Sequence, residues 1–253
     1  MTPDYFHTFS FNGIALSEFG AVIAQKPTHV IAAPDIQLNG IPFSDGDEIE
    51  DNGRYSNIEF IIPIRAVPAY CDMDLQTWAY RLKEWLNATK EYKIYRDTYN
   101  LGYFRQAVVT EIDEIQAVKK DVYETKITFS FKPFLYRDGG EQALTYTTTE
   151  NDYIISLENP EMWESNPIIR INGSGTFYLD LNGVEMTLDV DEQITVDKEQ
   201  ENVFDKTGAP CNDRIIGLKI PKLQVGTNII NIYRSGQSSG EYSVDIIPNW
   251  RRL

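Results

Sequence analysis

The dipeptide Asn182-Gly183, set between two runs of alternating residues, constrains this chain more than any other feature. Phe177, Leu179 and Leu181 lead into it, and Val184, Met186, Leu188 and Val190 lead out. Asn-Gly supplies the positive φ values of a tight hairpin turn. Apolar residues at every second position bury one face of each strand and leave the other to water. Residues 123–131 repeat the pattern: Tyr123, Thr125, Ile127, Phe129 and Phe131 alternate with Glu124, Lys126, Thr128 and Ser130, until Pro133 stops the run. Further strands are predicted at 5–11, 58–64, 168–171, 194–196, 214–220, 227–233 and 242–247, with a second piece at 14–23 broken by Gly20. Pro63 predicts a sheet edge at the end of the 58–64 strand. Residues 91–96 and 102–110 read as a long hairpin around Asn100-Leu101-Gly102. Short strands at close spacing, with turn residues between them, predict antiparallel sandwiches.

One stretch breaks the rule. In residues 72–88, Leu75, Trp78, Leu82, Trp85 and Leu86 share one face at helical spacing. Asp72 or Asp74 suits the N-cap and complements the helix dipole; Asn87 and Thr89 suit the end. A stripe with two tryptophans needs a large cover, and the flanking strands provide it. From about residue 143 onward no helix is predicted. Asp138-Gly139-Gly140 is the best boundary. The expected architecture is mainly β: two β-sandwich-type domains, 1–137 and 138–253, the first with one α-helix and a long hairpin. Residues 27–34, 45–53 and 198–213 read as loops. A further loop, framed by Asn159-Pro160 and Asn166-Pro167, holds Trp163.

The chain has 253 residues, 38 Asp and Glu against 23 Lys and Arg, and a formal net charge of −15. That balance argues against specific nucleic-acid binding, because phosphates are repelled. The polar, aromatic residues 1–10 predict no signal peptide, and no run approaches the roughly 18–20 apolar residues of a membrane span. Cys71 and Cys211 read as free thiols of a reducing compartment.

Catalytic chemistry finds little material. Only His7 and His29 are present, so a histidine triad or multi-histidine zinc site is hard to build. The acidic run at 45–53 invites calcium, but counted from Asp45 the fifth and sixth positions of an EF-hand loop hold Ile49 and Glu50, neither an oxygen-bearing fifth ligand nor the required glycine. Gly173-Ser174-Gly175 lacks the third glycine and the following helix of a nucleotide loop. Paired carboxylates for sugar hydrolysis are too numerous for any pair to stand out. No catalytic residue, metal site or cofactor is predicted. Trp163 and Trp250 are candidates for stacking on sugar rings. Tyr95, Tyr99, Tyr103 and Phe104 of the aromatic hairpin are candidates for a subunit contact.

Several segments together resemble the distal tail protein family of long-tailed, non-contractile bacteriophages (siphophages). They are Phe9-Ser10-Phe11-Asn12-Gly13 with Ser17-Glu18-Phe19-Gly20; the Trp78–Leu86 helix with Tyr92-Lys93-Ile94-Tyr95-Arg96-Asp97; Phe129–Tyr136; Asn166–Gly175; Gly226-Thr227-Asn228; and Ile247–Leu253. Their order spans almost the whole chain. The resemblance implies a homo-hexameric ring in the virion tail tip, assembled in the host cytoplasm. It implies that the N-terminal domain builds the ring and abuts the tail tube protein, and that a tail-tip or tail-associated protein is a further partner. The second domain would be a galectin-like or carbohydrate-module-like sandwich pointing outward, in many relatives carrying receptor-binding proteins. No membrane insertion and no enzyme activity are implied. Two alternatives remain, a carbohydrate-binding module for host attachment and a cell-wall hydrolase. A glycan array discriminates the first, and zymography on peptidoglycan the second.

Overall fold

The computed structural model describes residues 7–26, 30–66, 72–119, 122–217, 219–235 and 240–253. The chain divides into two compact units, Met1–Leu135 together with Leu253, and Tyr136–Arg252. Strands dominate both, as the alternation predicts.

The first unit contains β1 (Phe9–Phe11), β2 (Ile14–Ala15), a 3-10 turn at Leu16–Phe19, β3 (Ala21–Ile23), β4 (Pro34–Gly40), β5 (Asp47–Tyr55) and β6 (Ile58–Ala66). After α1 (Leu75–Asn87) come β7 (Lys93–Asp97), β8 (Tyr103–Ile112), β9 (Gln116–Lys119) and β10 (Val122–Phe131), and β11 (Leu135–Arg137) begins on the last residue before the second unit. An antiparallel sheet runs in the order β2-β1-β7-β8-β10-β6-β3. The alternation in β10 drives the packing: Tyr123, Thr125, Ile127, Phe129 and Phe131 all turn inward.

The helix closes this core. Trp78, Leu82, Trp85 and Leu86 are its buried stripe, and Leu75 is only half-buried. Of the two candidate caps, Asp74 is the one used: its carboxylate accepts from the Thr77 amide at 3.0 Å and the Thr77 hydroxyl at 2.8 Å. Both indoles reach the N-terminal strands. Trp78 Nε1 donates to the Phe19 carbonyl at 2.8 Å, and Trp85 Nε1 to the Phe11 carbonyl at 3.0 Å. Trp85 also stacks on Phe19, with ring centroids 4.6 Å apart.

Three expectations for this unit need correction. Pro63 does not end a strand, since β6 runs on to Ala66. Its carbonyl accepts from the Ala24 amide, on the β3 side, just past the last β3 pair Ile23↔Ile64. Its absent N–H therefore faces that same open side and costs the β10 ladder nothing. The expected loop at 27–34 gives way at Pro34, where β4 begins; residues 27–29 lie outside the described residues. The acidic stretch at 45–53, expected as a loop, is mostly strand β5 paired with β4.

The second unit holds β12 (Leu144–Thr148), β13 (Asp152–Asn159), β14 (Ile168–Asn172), β15 (Gly175–Leu181), β16 (Val184–Val190) and β17 (Gln193–Asp197). It continues with β18 (Asn202–Asp205), β19 (Ile215–Ile216), β20 (Gly226–Ser235), β21 (Tyr242–Ile247) and β22 (Arg251–Arg252). Two five-stranded antiparallel sheets have the orders β12-β21-β14-β17-β18 and β13-β20-β15-β16-β19. Phe177, Leu179, Ile230 and Ile232 of one sheet, and Ile169, Ile171, Val244 and Ile246 of the other, belong to one buried cluster. The Asn182-Gly183 turn has the positive φ values it predicts, 53° and 84°.

Asn228, completely buried, ties this turn to the sheet. Its Oδ1 accepts from Asn182 Nδ2 and from the Gln224 amide, each at 2.7 Å, and its Nδ2 donates to the Gly226 carbonyl at 2.9 Å. Gly173 is a packing glycine, because a Cβ there would lie 2.9 Å from the Tyr242 Cβ. The predicted 214–220 strand shrinks to β19, and the predicted 198–213 loop contains β18. β12 and β13 have no counterpart in the sequence reading.

Two stability predictions follow from the helix. Trp78→Phe leaves the buried Phe19 carbonyl without its indole donor and should cost about 1–3 kcal/mol, read from urea denaturation. Asp74→Ala should lower the urea midpoint at neutral pH. The Asp74 carboxyl is held below its ordinary value of 3.8 chiefly by the Thr77 amide and hydroxyl. Its contribution is therefore present above that value and lost as pH falls through the lower folded one. The gap between the variant and the parent chain should close in acid.

Candidate assembly surfaces

A two-stranded ribbon in water is marginal by itself, yet β4 and β5 form a sheet of their own. Their register pairs Ile36 with Asp51, Leu38 with Ile49, and Asn39 with Glu48. Residues directly opposite share a face. One face therefore carries Ile36, Leu38 and Ile49 together with Asp47 and Asp51, and the other carries Gln37, Asn39, Glu48 and Glu50. The apolar face is uncovered: Leu38 is 60% and Ile49 65% exposed. Phe43, at the connection between the strands, is fully exposed and has φ 68°. A bulky residue there is conformationally costly. At the open end of the ribbon, Arg54 Nε reaches Asp35 at 2.5 Å, holding that carboxyl below its usual range, with Asn52 assisting. The ribbon thus has a closed polar network, a face that shows three apolar side chains and two carboxylates to water, and an aromatic tip.

The aromatic hairpin β7–β8 is arranged differently. Tyr95 and Phe104 are only 3% and 7% exposed, so the idea that they offer an exposed contact needs correction. Tyr95 packs against Phe9, Phe129 and Phe131 at centroid distances of 5.2, 5.4 and 4.8 Å. Burial, and then the Asp97 charge, push its hydroxyl well above the ordinary tyrosine value. The Arg96 guanidinium lies 4.9 Å from the Phe104 ring centre. Tyr99 and Tyr103 are half-buried, and Tyr99 stacks on His7 at 4.2 Å. Asp97 shapes the turn by accepting from the Tyr99 and Asn100 amides at 2.9 and 2.8 Å. The apolar side chains this hairpin shows to water are Ile94 and Leu101.

Neither tryptophan proposed for sugar stacking stands free. Trp250 is buried in the second core and Trp163 is half-buried. Cys211 is a buried thiol, which burial pushes up in pKa; Cys71 and His29 lie outside the described residues. Among the described residues no three His, Cys, Asp or Glu side chains group to hold a metal ion. None of the helices described is long and apolar enough to cross a membrane.

No protein-family profile matches the chain, and no curated protein does. Solved structures do. Two structures of the phage P2 baseplate in its activated conformation, one with Ca and one with Sr, match at TM-score 0.48 and 10% identity. They cover 95% and 98% of this chain, and 97% and 98% of those chains. The Dit protein (gp 19.1) of phage SPP1, described as a paradigm of the hub adsorption apparatus in phages infecting Gram-positive hosts, matches at TM-score 0.68 and 13% identity. That match covers 98% of this chain and 99% of the SPP1 protein, and the chain has a Dit-like fold.

Proposed function

We propose that the chain is the structural hub of a phage tail tip. Six copies would close into a ring that joins the tail tube to the tip or adsorption apparatus and leaves a lumen for DNA. Residues 1–137 would build the ring against the tail tube protein and a tail-associated protein. Residues 138–253 would point outward, where receptor-binding proteins could attach. The role is architectural rather than enzymatic, and its place is the virion.

One observation carries this reading: a ribbon that shows three apolar side chains, Ile36, Leu38 and Ile49, to water on one face, in a chain with the fold of a phage hub protein. Exposed Ile36, Leu38 and Ile49 would gain by burial at about 25 cal/mol per Å² of apolar surface. A ring buries such a face on every copy at once, because each contact is head-to-tail and the rotation closes. Tyr99 and Tyr103 of the aromatic hairpin are proposed as a second, smaller contact. Charge fits the lumen: six times −15, or −90, repels a passing phosphate backbone and gives it nothing to adhere to.

Light scattering on the purified chain should give a mass near six times 29.0 kDa, or a lower oligomer that closes on tail assembly, and negative-stain images should contain rings. A strictly monomeric mass with no rings overturns the hexamer. Leu38→Asp with Ile49→Asp should abolish rings and leave the melting temperature of the separated chain within a few degrees, since neither side chain is in the core.

A further inference from the structure

We propose that the outward face of the β13–β20–β15–β16 sheet binds an oligosaccharide carrying free amino groups, of the glucosamine type. Its central platform would be Tyr178 and Tyr233. The inference is independent of ring formation, because it rests on one face of one sheet.

The register builds the site. Tyr178 lies directly opposite Tyr233 on β20 and Thr187 on β16, while Tyr233 lies opposite Asp152 on β13. One row across the face therefore reads Asp152, Tyr233, Tyr178, Thr187. Two residues along, Asp180 pairs with Asn231 and with Glu185, giving a second row of Ile154, Asn231, Asp180 and Glu185. Alternate residues on the same strands, such as Leu179, Met186 and Ile232, fill the core, which fixes the parity of the whole outer face.

This face has a shape and a chemistry of its own. It forms a groove of about 520 Å³, within the ~300–1,000 Å³ range of small-ligand sites. The two tyrosine rings are 5.7 Å apart, tilted by 36°, and each remains 46% exposed. Their mutual contact supports the sheet, but half of each ring still faces water. A pyranose presents a flat face of C–H groups, and a protonated amino sugar adds a cation for the ring face to attract.

The polar groups select the charge. Asp152, Asp180 and Glu185 line the groove, and among the described residues no lysine or arginine does. None of the three forms an ion pair among the described residues. Asp180 is already oriented: its Oδ1 accepts from the Gly183 amide at 2.7 Å and its Oδ2 from Asn231 Nδ2 at 3.2 Å. Uncompensated carboxylates beside aromatic faces favour an ammonium-bearing sugar and repel phosphate- or sulfate-bearing polymers. They also accept hydrogen bonds from sugar hydroxyls.

Calorimetric titration of the full chain with a glucosamine tetramer, an N-acetylglucosamine tetramer and a sulfated glycan tests this. The glucosamine tetramer should bind at least about tenfold more tightly than its acetylated counterpart, and the sulfated glycan should not bind. Tyr178→Ala should weaken binding about tenfold, the scale of one lost stacking partner, while lowering the melting temperature by no more than a few degrees, the scale of one cross-strand pair. Asp152→Asn with Glu185→Gln should cut the preference for the free amine severalfold; Asp180 is left in place because it holds the Asn182-Gly183 turn. No saturable binding of the glucosamine tetramer overturns the proposal. So does equal binding of the acetylated or sulfated glycan, or full affinity in Tyr178→Ala.

Discussion

The first unit depends on two indole N–H groups that point the same way. Trp78 and Trp85, seven residues apart on one helical face, donate to the carbonyls of Phe19 and Phe11. These carbonyls stand on either side of the β1–β2 turn and the 3-10 turn that follows it. The helix thus clamps both ends of an N-terminal segment too short to hold itself in place. β1 is three residues long and β2 two. With β1 held, β7 can pair along it, β8 along β7 and β10 along β8, and the sheet order follows. A lone helix on a sheet is ordinarily a lid; here its hydrogen bonds also set the register of the edge.

That clamp leaves the ribbon outside. β4 and β5 leave the sheet after β3, pair only with each other and present to water a face that β-structure normally covers. The first core is filled by Phe9, Phe11, Ile62, Ile64, Phe129 and the helix stripe, and takes only Tyr55, at the base of β5, from the ribbon. The apolar residues Ile36, Leu38 and Ile49 of the ribbon thus lie outside that core.

Legibility in the sequence tracked burial. β10, β15, β16 and β21 were plain because one face of each is sealed against a core, so every second residue is apolar. β5 was hidden because nothing covers it: Asp47, Glu48, Glu50 and Asp51 surround the single apolar Ile49, and without a buried face no period of two appears. β18 was hidden likewise, with only Val203 fully inside. β12 was missed because its run Leu-Thr-Tyr-Thr-Thr offers only Leu144 and Tyr146 at alternate positions, and none of its residues is fully buried. The aromatic hairpin misled by abundance. Counting rings suggested exposure, but parity decides the side: Tyr95 points inward and its neighbour Ile94 outward. The tryptophans misled in the same way, being the obvious sugar platforms in composition, whereas the exposed aromatic pair is Tyr178 with Tyr233. Their opposition depends on the β15–β20 pairing, which joins segments more than fifty residues apart.

A bare apolar ribbon is also a hazard, since unpaired strand edges recruit any passing strand. The acids resolve this. Glu48 and Glu50 stand on the polar face, and Asp47 and Asp51 flank Ile49 along β5 itself. A second ribbon approaching edge to edge, in parallel or antiparallel register, would bring like charges together on both faces. A face-on partner would have to offer hydrogen-bond donors or cations to Asp47 and Asp51 as well as apolar cover for Ile36, Leu38 and Ile49. The same residues that hid β5 from a sequence reading thus restrict its partners: they oppose open-ended pairing of identical edges and leave a seated, face-on contact as the favourable one. Such a contact has a defined angle, and a defined angle repeated from copy to copy is the geometric requirement for a ring to close.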